Sequence, residues 1–445
     1  MSQQSSPHRK TTDAAAATGS RLDSYVDRYA TRTHGMTASE VRSLFAVASR
    51  PEVVSLAGGM PNISGLPLDV VGSLVSDVVA KRGMTALQYG SGQGDPTLRE
   101  QICDVMRPVG IVAHPDDVTV TVGSQQALDL VTRIFIDPGD VILAEAPSYV
   151  GALGTFRSYQ ASVVHVEMDE HGLLPERLNA AIDAVRAAGK RIKFLYTIPS
   201  YHNPAGVTMT AERRAQVLEI CRRADVLVIE DDPYGLLGFD GEVPRAIRAD
   251  DAEQVVYLGS FSKTFAPGLR VGWALAPHAV REKLVLAAEN SVLCPPAFSQ
   301  LTVSEYLAGH DWMAQVKDFR ETYRERRDAM LEALDDLMPA GAQWTRPTGG
   351  FYVWLTLPEG IDAKAMLPRA VTNRVAYVPG TAFFADGFGA RSMRLSYCYP
   401  TPERIREGVR RLAQVIEQEM ELRATFGAWS AAQRPGLDAP GPDQS

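Results

Sequence analysis

Cysteine is scarce in this 445-residue chain. There are four, Cys103, Cys221, Cys294 and Cys398, widely scattered and without a Cys-x-x-Cys pair. That excludes a disulfide scaffold and leads us to expect reduced thiols in a cytoplasmic protein. Long apolar runs are missing too. No stretch approaches the roughly 20 residues of a membrane helix, and the polar start, MSQQSSPHRKTTDAAAATGS, lacks the apolar core of a signal peptide. Positive charge is in deficit: 45 Lys and Arg stand against 53 Asp and Glu, a formal net charge of −8. Such a balance gives no bulk attraction to nucleic acid or anionic lipid, so neither a nucleic acid nor a membrane is expected as partner. No Walker A motif occurs. The glycine-rich YGSGQGDPTLRE at 89–100 misses the Gly-x-Gly-x-x-Gly spacing because Asp95 takes the third position.

What is present reads as a folded α/β protein. Apolar residues make up 45% and charged residues 22%, a globular composition, and the length suits about two or three structural units. Seven short β-rich runs are predicted strands: 118–122, 141–145, 162–166, 192–197, 226–230, 255–259 and 271–275. Helical periodicity separates several of them, at 125–136, 148–159, 175–188 and 210–224. Near-continuous apolar strands alternating with helices predict a mainly parallel sheet covered on both faces. The last three strands lack clear intervening helices, so one antiparallel member is expected there. A long helix over 311–337, strands at 350–357 and 391–397, and a helix over 403–422 predict a smaller α+β unit. The segment 36–49 also reads as a helix packing with that unit. The expected layout is a disordered tail 1–20, an arm 21–60, a large domain 61–310, a small domain 311–426 and a disordered tail 427–445.

Four segments could carry chemistry. In SFSKTFAPGLRVGW, Ser260 to Trp273, Lys263 follows a predicted buried strand, with Ser260, Ser262 and Arg270 close by. Open α/β sheets bind ligands at the carboxyl ends of their strands. A lysine there can form a Schiff base, and hydroxyls with a guanidinium can hold a phosphate. In IEDDPYG, Ile229 to Gly235, Asp231 and Tyr234 end a strand, and such a carboxylate could face a protonated ring nitrogen. Asn203, Pro204 and Gly206 form a turn after strand 192–197, where His202 has no partner at metal-ligand or triad spacing and reads as incidental. In TVGSQQAL, Thr121 to Leu128, Gly123 turns the chain, and Ser124 and Gln125 open a helix whose free N–H groups suit a phosphate. No metal site is expected.

Together these segments resemble the fold-type I pyridoxal phosphate (PLP) enzymes, specifically the class I/II aminotransferases and their 2-aminoadipate and kynurenine aminotransferase branch. SLAGGMP, QYGSGQGDPTLRE, VGSQQAL, PSY, HNPAG, EDDPYG, SFSKTFAPGLRVGW and RLSY occur in the family's order over roughly 35–419. The resemblance implies a large domain with a mainly parallel seven-stranded sheet and a smaller α+β domain. It implies that Lys263 carries the cofactor, that Asp231 pairs with its ring nitrogen and that Tyr149 stacks on the ring. Tyr234 and Asn203 would contact the ring hydroxyl, and Ser124, Gln125, Ser260, Ser262 and Arg270 would hold the phosphate. Tyr89 would reach the phosphate of a neighbouring subunit's cofactor, which implies a homodimer with shared sites. Arg394 would grip the substrate α-carboxylate, helped by Asn203 and the backbone near Gly59. Arg42 matches a position that recognises acidic side chains in some relatives. Arg391 stands where the family often has Asn.

The implied function is transamination between an L-amino acid and a 2-oxo acid, 2-oxoglutarate being the expected acceptor, by ping-pong chemistry. Two rivals stay open on sequence alone. One is another PLP reaction on the same scaffold: a lyase, a decarboxylase or a racemase. The other is a ligand-sensing regulator, disfavoured because the segment before the resemblance is too short and polar for a winged helix.

Overall fold

The computed structural model describes residues 25–33, 36 and 50–432. The predicted helix over 36–49, apart from Met36, lies outside the described residues, as do the tail 1–20 and residues 433–445.

Eight strands form the large sheet among the described residues: β2 (Val118–Val122), β3 (Val141–Ala146), β4 (Ser162–Asp169), β5 (Gly172–Leu173), β6 (Ile192–Thr197), β7 (Leu227–Asp231), β8 (Val255–Ser260) and β9 (Val271–Leu275), while β1 (Val54–Ser55) belongs elsewhere. Their order is β2-β9-β8-β7-β6-β3-β4-β5. All seven predicted strands form, and the eighth, β5, is a two-residue edge hairpin too short to show a period. The run β4-β3-β6-β7-β8 is parallel. β9 is antiparallel to both its neighbours, β8 and β2, and is the antiparallel member expected from the missing helices.

Alternation along these strands explains the two layers of helix. Ile142, Ala144, Phe194, Tyr196, Ile229, Val256 and Leu258 pack on one face with Leu128 and Val131 of helix Ser124–Phe135, Phe156 of helix Val150–Ser158 and Leu284 of helix His278–Val292. The residues between them, Val141, Leu143, Leu195, Val228 and Val255, pack on the other face with Ile182 of helix Pro175–Ala187 and Val217 and Ile220 of helix Ala211–Arg223. Successive strand side chains point to opposite faces, so a strand buried on both sides needs apolar residues throughout.

The smaller unit holds β10 (Gln343–Trp344), β11 (Tyr352–Thr356), β12 (Val375–Ala376), β13 (Val378–Pro379) and β14 (Ser392–Ser396). β10, β11, β14 and β13 make an antiparallel sheet in that order. Met330 and Leu334 of helix Trp312–Leu337 and Ile405, Val409 and Leu412 of helix Pro402–Ala432 pack around Val353, Leu355 and Leu395. That last helix runs past Leu422 and six residues into the expected tail. No proline interrupts the stretch before Pro435, and alanines recur along it. β1 pairs with β12, so the chain entering from the N-terminal side is stitched into the small unit before it crosses to the large one. No described helix is long and apolar enough to cross a membrane.

Candidate active site

Parallel strands present their carboxyl ends to one edge of the sheet, and the predicted residues gather there. Asp231 is the last residue of β7, Ser260 the last of β8, and Ser124 follows β2 by one turn residue. Tyr149 follows β3 and Asn203 follows β6. Arg270 immediately precedes the antiparallel β9, whose amino end lies at the same edge. These residues, with Gly59, Gln125, Tyr234, Ser262, Lys263 and Arg394, line a cavity of about 340 Å³. Every expected site residue except Tyr89 and Arg42 is in that lining.

One wall is built to hold an anion. Gly123 caps helix Ser124–Phe135 without a side-chain bond, and Ser124 and Gln125, the first two helical residues, line the cavity. Ser260 Oγ donates to Ser262 Oγ at 2.9 Å and accepts from the Ser262 N–H at 3.0 Å. Arg270 donates only to neutral oxygens, Ser262 Oγ at 3.4 Å, the Pro267 carbonyl at 3.4 Å and the Val122 carbonyl at 3.3 Å. It makes no ion pair among the described residues. Its backbone sits at φ 55°, in the left-handed region, which aims the side chain back at the helix start. Gly272 lets β9 pass this close, because a Cβ there would press on the backbone of Gly123 and Ser124.

At the cavity floor, Asp231 is 5% exposed. Its Oδ2 accepts a hydrogen bond from Tyr196 Oη at 2.7 Å. Its Oδ1 is buried with no partner among the described residues. Burial pushes this carboxyl up to about 7; the Tyr196 bond pulls against that, and the neighbouring Asp232 adds to it. The flanking acids point elsewhere: Glu230 accepts from the N–H groups of Ile247 and Arg248, and Asp232 from Tyr257 Oη. Lys263 Nζ donates to the Gly59 carbonyl at 2.9 Å. Burial lowers the Lys263 amine from 10.5 to about 8, with Arg394 and Arg270 adding like-charge repulsion.

Arg394 is 3% exposed. Its two terminal nitrogens reach Asn203 Oδ1 and the Ala57 carbonyl, each at 2.9 Å. Its Nε is buried and has no partner among the described residues. A guanidinium with neutral acceptors and a bare N–H is ready for a carboxylate. Tyr149 Oη lies 3.4 Å from Gln125 Oε1, and burial raises that phenol to about 12, so it stays protonated.

The sequence profile of the family "Aminotransferase class I and II" matches residues 52–412. The chain belongs to that family. It is 44% identical over 400 residues to the aromatic-amino-acid aminotransferase 1 of Thermococcus litoralis, covering 89% of this chain and 96% of the relative. The Pyrococcus horikoshii kynurenine aminotransferase, solved with PMP, superposes with a TM-score of 0.85 at 40% identity, over 88% of this chain and 98% of that one. The α-aminoadipate aminotransferase of Thermus thermophilus, solved with a phosphopyridoxyl-leucine compound, gives 0.81 at 36% identity, over 90% of this chain and 100% of that one. The chain is thus a PLP-dependent aminotransferase of fold type I.

The cavity fits that cofactor on its own chemistry. An unpartnered Oδ1 on a buried carboxylate calls for a cationic N–H, which a pyridinium supplies. A buried amine with a lowered pKa is a nucleophile for an aldehyde. Helix start, serines and Arg270 make a cradle for a phosphate.

Some expected residues fall elsewhere. Tyr89 is 76% exposed and stays outside the cavity of its own chain. Arg42 lies outside the described residues. Arg391 turns away from the site and donates to the Leu357 carbonyl at 3.0 Å, leaving Arg394 undisturbed. His202 does not line the cavity; it sits 3.1 Å from Glu145, beneath the Asn203 turn. Two tyrosines escaped the sequence reading: Tyr196, inside an apolar strand, and Tyr352, on β11. A buried tyrosine needs a partner for its hydroxyl, and that need was the available signal.

An amine attacks an aldehyde only when neutral, so if Lys263 receives PLP, the rate at which apoenzyme recombines with PLP should rise about tenfold per pH unit below about pH 8 and level off above it. Stopped-flow absorbance on apoenzyme measures this. A midpoint near the ordinary lysine value of 10.5 would contradict the buried, repelled amine.

Proposed function

We propose that this aminotransferase divides its work among the cavity residues as follows. Lys263 would hold PLP, and its Nζ would take the Cα proton of the bound amino acid. Bound there, the cofactor supplies an electrophilic carbon and a ring that accepts the electron pair left at Cα. Asp231 holds the ring nitrogen through Oδ1. Tyr234 and Asn203 orient the ring hydroxyl, and Tyr149 covers the ring. Ser124, Gln125, Ser260, Ser262 and Arg270 fix the phosphate. Arg394 anchors the α-carboxylate with its guanidinium, with Asn203 and the Gly59 backbone beside it. The reading is carried by one arrangement: a half-satisfied carboxylate, a buried lysine of lowered pKa and a half-satisfied arginine share one cavity.

The acceptor in this reading is 2-oxoglutarate, and the donors are aromatic, aliphatic and aminoadipate-like amino acids. The spread of the relatives' names, over aromatic amino acids, kynurenine and α-aminoadipate, supports a broad donor range. Arg394 grips a group that every amino acid shares, so selection must occur at the side chain. Arg42 is the basic residue proposed to meet an acidic one. Its charge-assisted hydrogen bond is worth about 1.5–3 kcal/mol, or about ten- to a hundredfold in kcat/KM. Arg42→Ala should lower kcat/KM for glutamate by that factor and leave leucine within about twofold. Equal loss for both substrates, or none, removes Arg42 from side-chain selection.

The active unit in this reading is a cytoplasmic homodimer with shared sites. Support comes from exposed apolar side chains close to Tyr89 in the chain: Met84 is 88% and Leu87 75% exposed. Contiguous exposed apolar residues mark association surfaces. Subunits of Lys263→Ala and Tyr89→Phe, each impaired alone, should regain activity above both parents after subunit exchange, because one site of each mixed dimer has both residues. No gain on mixing would place Tyr89 in its own subunit's site or outside catalysis.

A further inference from the structure

Tyr352 lines the cavity, is almost fully buried, and belongs to none of the motifs that located the other residues. β11 pairs with β14 in the register Tyr352↔Ser396 and Trp354↔Arg394. Tyr352 and Arg394 are therefore diagonal neighbours on one face of the small sheet, within reach of long side chains. The Arg394 guanidinium carbon lies 4.2 Å from the centre of the Tyr352 ring and 5.1 Å from that of Phe383. Trp354 in turn packs edge-on against Phe383, with centroids 5.6 Å apart. The guanidinium thus lies over two aromatic rings, while only two of its nitrogens are bonded among the described residues.

The other end of Tyr352 is just as constrained. Its hydroxyl lies 3.4 Å from Tyr234 Oη, and the two rings meet edge to face with an interplanar angle of 89°. It also packs onto Gly59: a Cβ at that position would collide with the hydroxyl oxygen, whereas the next atom, Cζ, would be at 3.4 Å. Burial raises the Tyr352 phenol, so the ring stays neutral and keeps its electron-rich face toward the cation.

We propose that Tyr352 is a positioning residue for the substrate carboxylate: its ring, packed against Gly59 and Tyr234, holds the Arg394 guanidinium in place. The inference rests on Arg394 as the carboxylate anchor. It adds that the anchor's geometry is set by a neighbour that need not touch the substrate. Loss of the ring frees a long side chain that must then be re-ordered at each binding event. Weaker binding of every carboxylate follows, with little change in the proton transfer at Lys263.

The test uses holoenzyme and 3-phenylpropanoate, a carboxylate without an amino group, titrated calorimetrically beside steady-state kinetics with leucine. Tyr352→Leu should raise the Kd and the KM about tenfold, with kcat within about threefold and PLP content and Tm close to wild type. Tyr352→Phe keeps the ring and should stay within about threefold in Kd. Gly59→Ala should resemble Tyr352→Leu, because its methyl group displaces the hydroxyl, and the double variant Gly59→Ala with Tyr352→Phe should recover most of the loss. An unchanged Kd in Tyr352→Leu, a Phe variant as impaired as the Leu variant, or no recovery in the double variant overturns the proposal. So does a wild type that fails to bind the carboxylate. A wild type that binds it without transaminating leucine counts against leucine as a donor and leaves the Tyr352 inference standing. Should Tyr352→Leu fail to fold, the Gly59→Ala pair decides alone.

Discussion

The Asp231 carboxylate, buried with one oxygen bonded to Tyr196 and the other bare, is the constraint around which the site is organised. Taking a carboxylate out of water costs several kcal/mol unless charge and hydrogen bonds replace the lost hydration. Among the described residues a single neutral donor, Tyr196, reaches it. The remaining demand is for a cation with an N–H, placed where the ends of β6, β7 and β8 converge. The fold makes that demand sustainable: the parallel strands are buried on both faces, and their apolar residues hold the acid at a fixed depth. The flanking acids are tied back into the scaffold, Glu230 by two backbone N–H groups and Asp232 by Tyr257, so the register of β7 leaves Asp231 alone facing the cavity.

Against this one carboxylate stand Lys263, Arg270 and Arg394, all lining the same cavity. The surplus of positive charge suits a ligand that brings a phosphate and a carboxylate together. The same surplus, added to burial, lowers the Lys263 amine toward neutrality, where it can act as nucleophile and base. The two cationic ends are held differently. Arg270 comes from a left-handed turn between two large-sheet strands, beside a helix start. Arg394 comes from the small antiparallel sheet and is wedged between aromatic rings. A molecule spanning both ends bridges the two units of the fold.

Much of this was legible in the sequence because strand-end chemistry is local. SFSKTFAPGLRVGW, IEDDPYG and TVGSQQAL each carry their functional residues within a few positions of a strand end, so recognising the strand placed the residue. The seven strands were readable for a related reason: burial on both faces makes them continuously apolar. What escaped depends on contacts between distant segments. Tyr196 meets Asp231 across two neighbouring strands, and Tyr352 meets Arg394 through an antiparallel register that no local pattern specifies. Helix Leu68–Ala86 was missed because its apolar residues are not confined to one face; much of that surface is exposed. β5 was too short to have a period. Tyr89 was named through family resemblance, and nothing among the described residues explains its exposed position.

In the proposed mechanism one amine, Lys263 Nζ, carries the cofactor. Borohydride reduction of the holoenzyme, followed by proteolysis and mass spectrometry, tests it most directly. The expected result is a phosphopyridoxyl group on Lys263 in near-stoichiometric yield, and a folded Lys263→Ala variant that binds PLP without being labelled at any other lysine. A phosphopyridoxyl group on a different lysine, or none at Lys263, would contradict it.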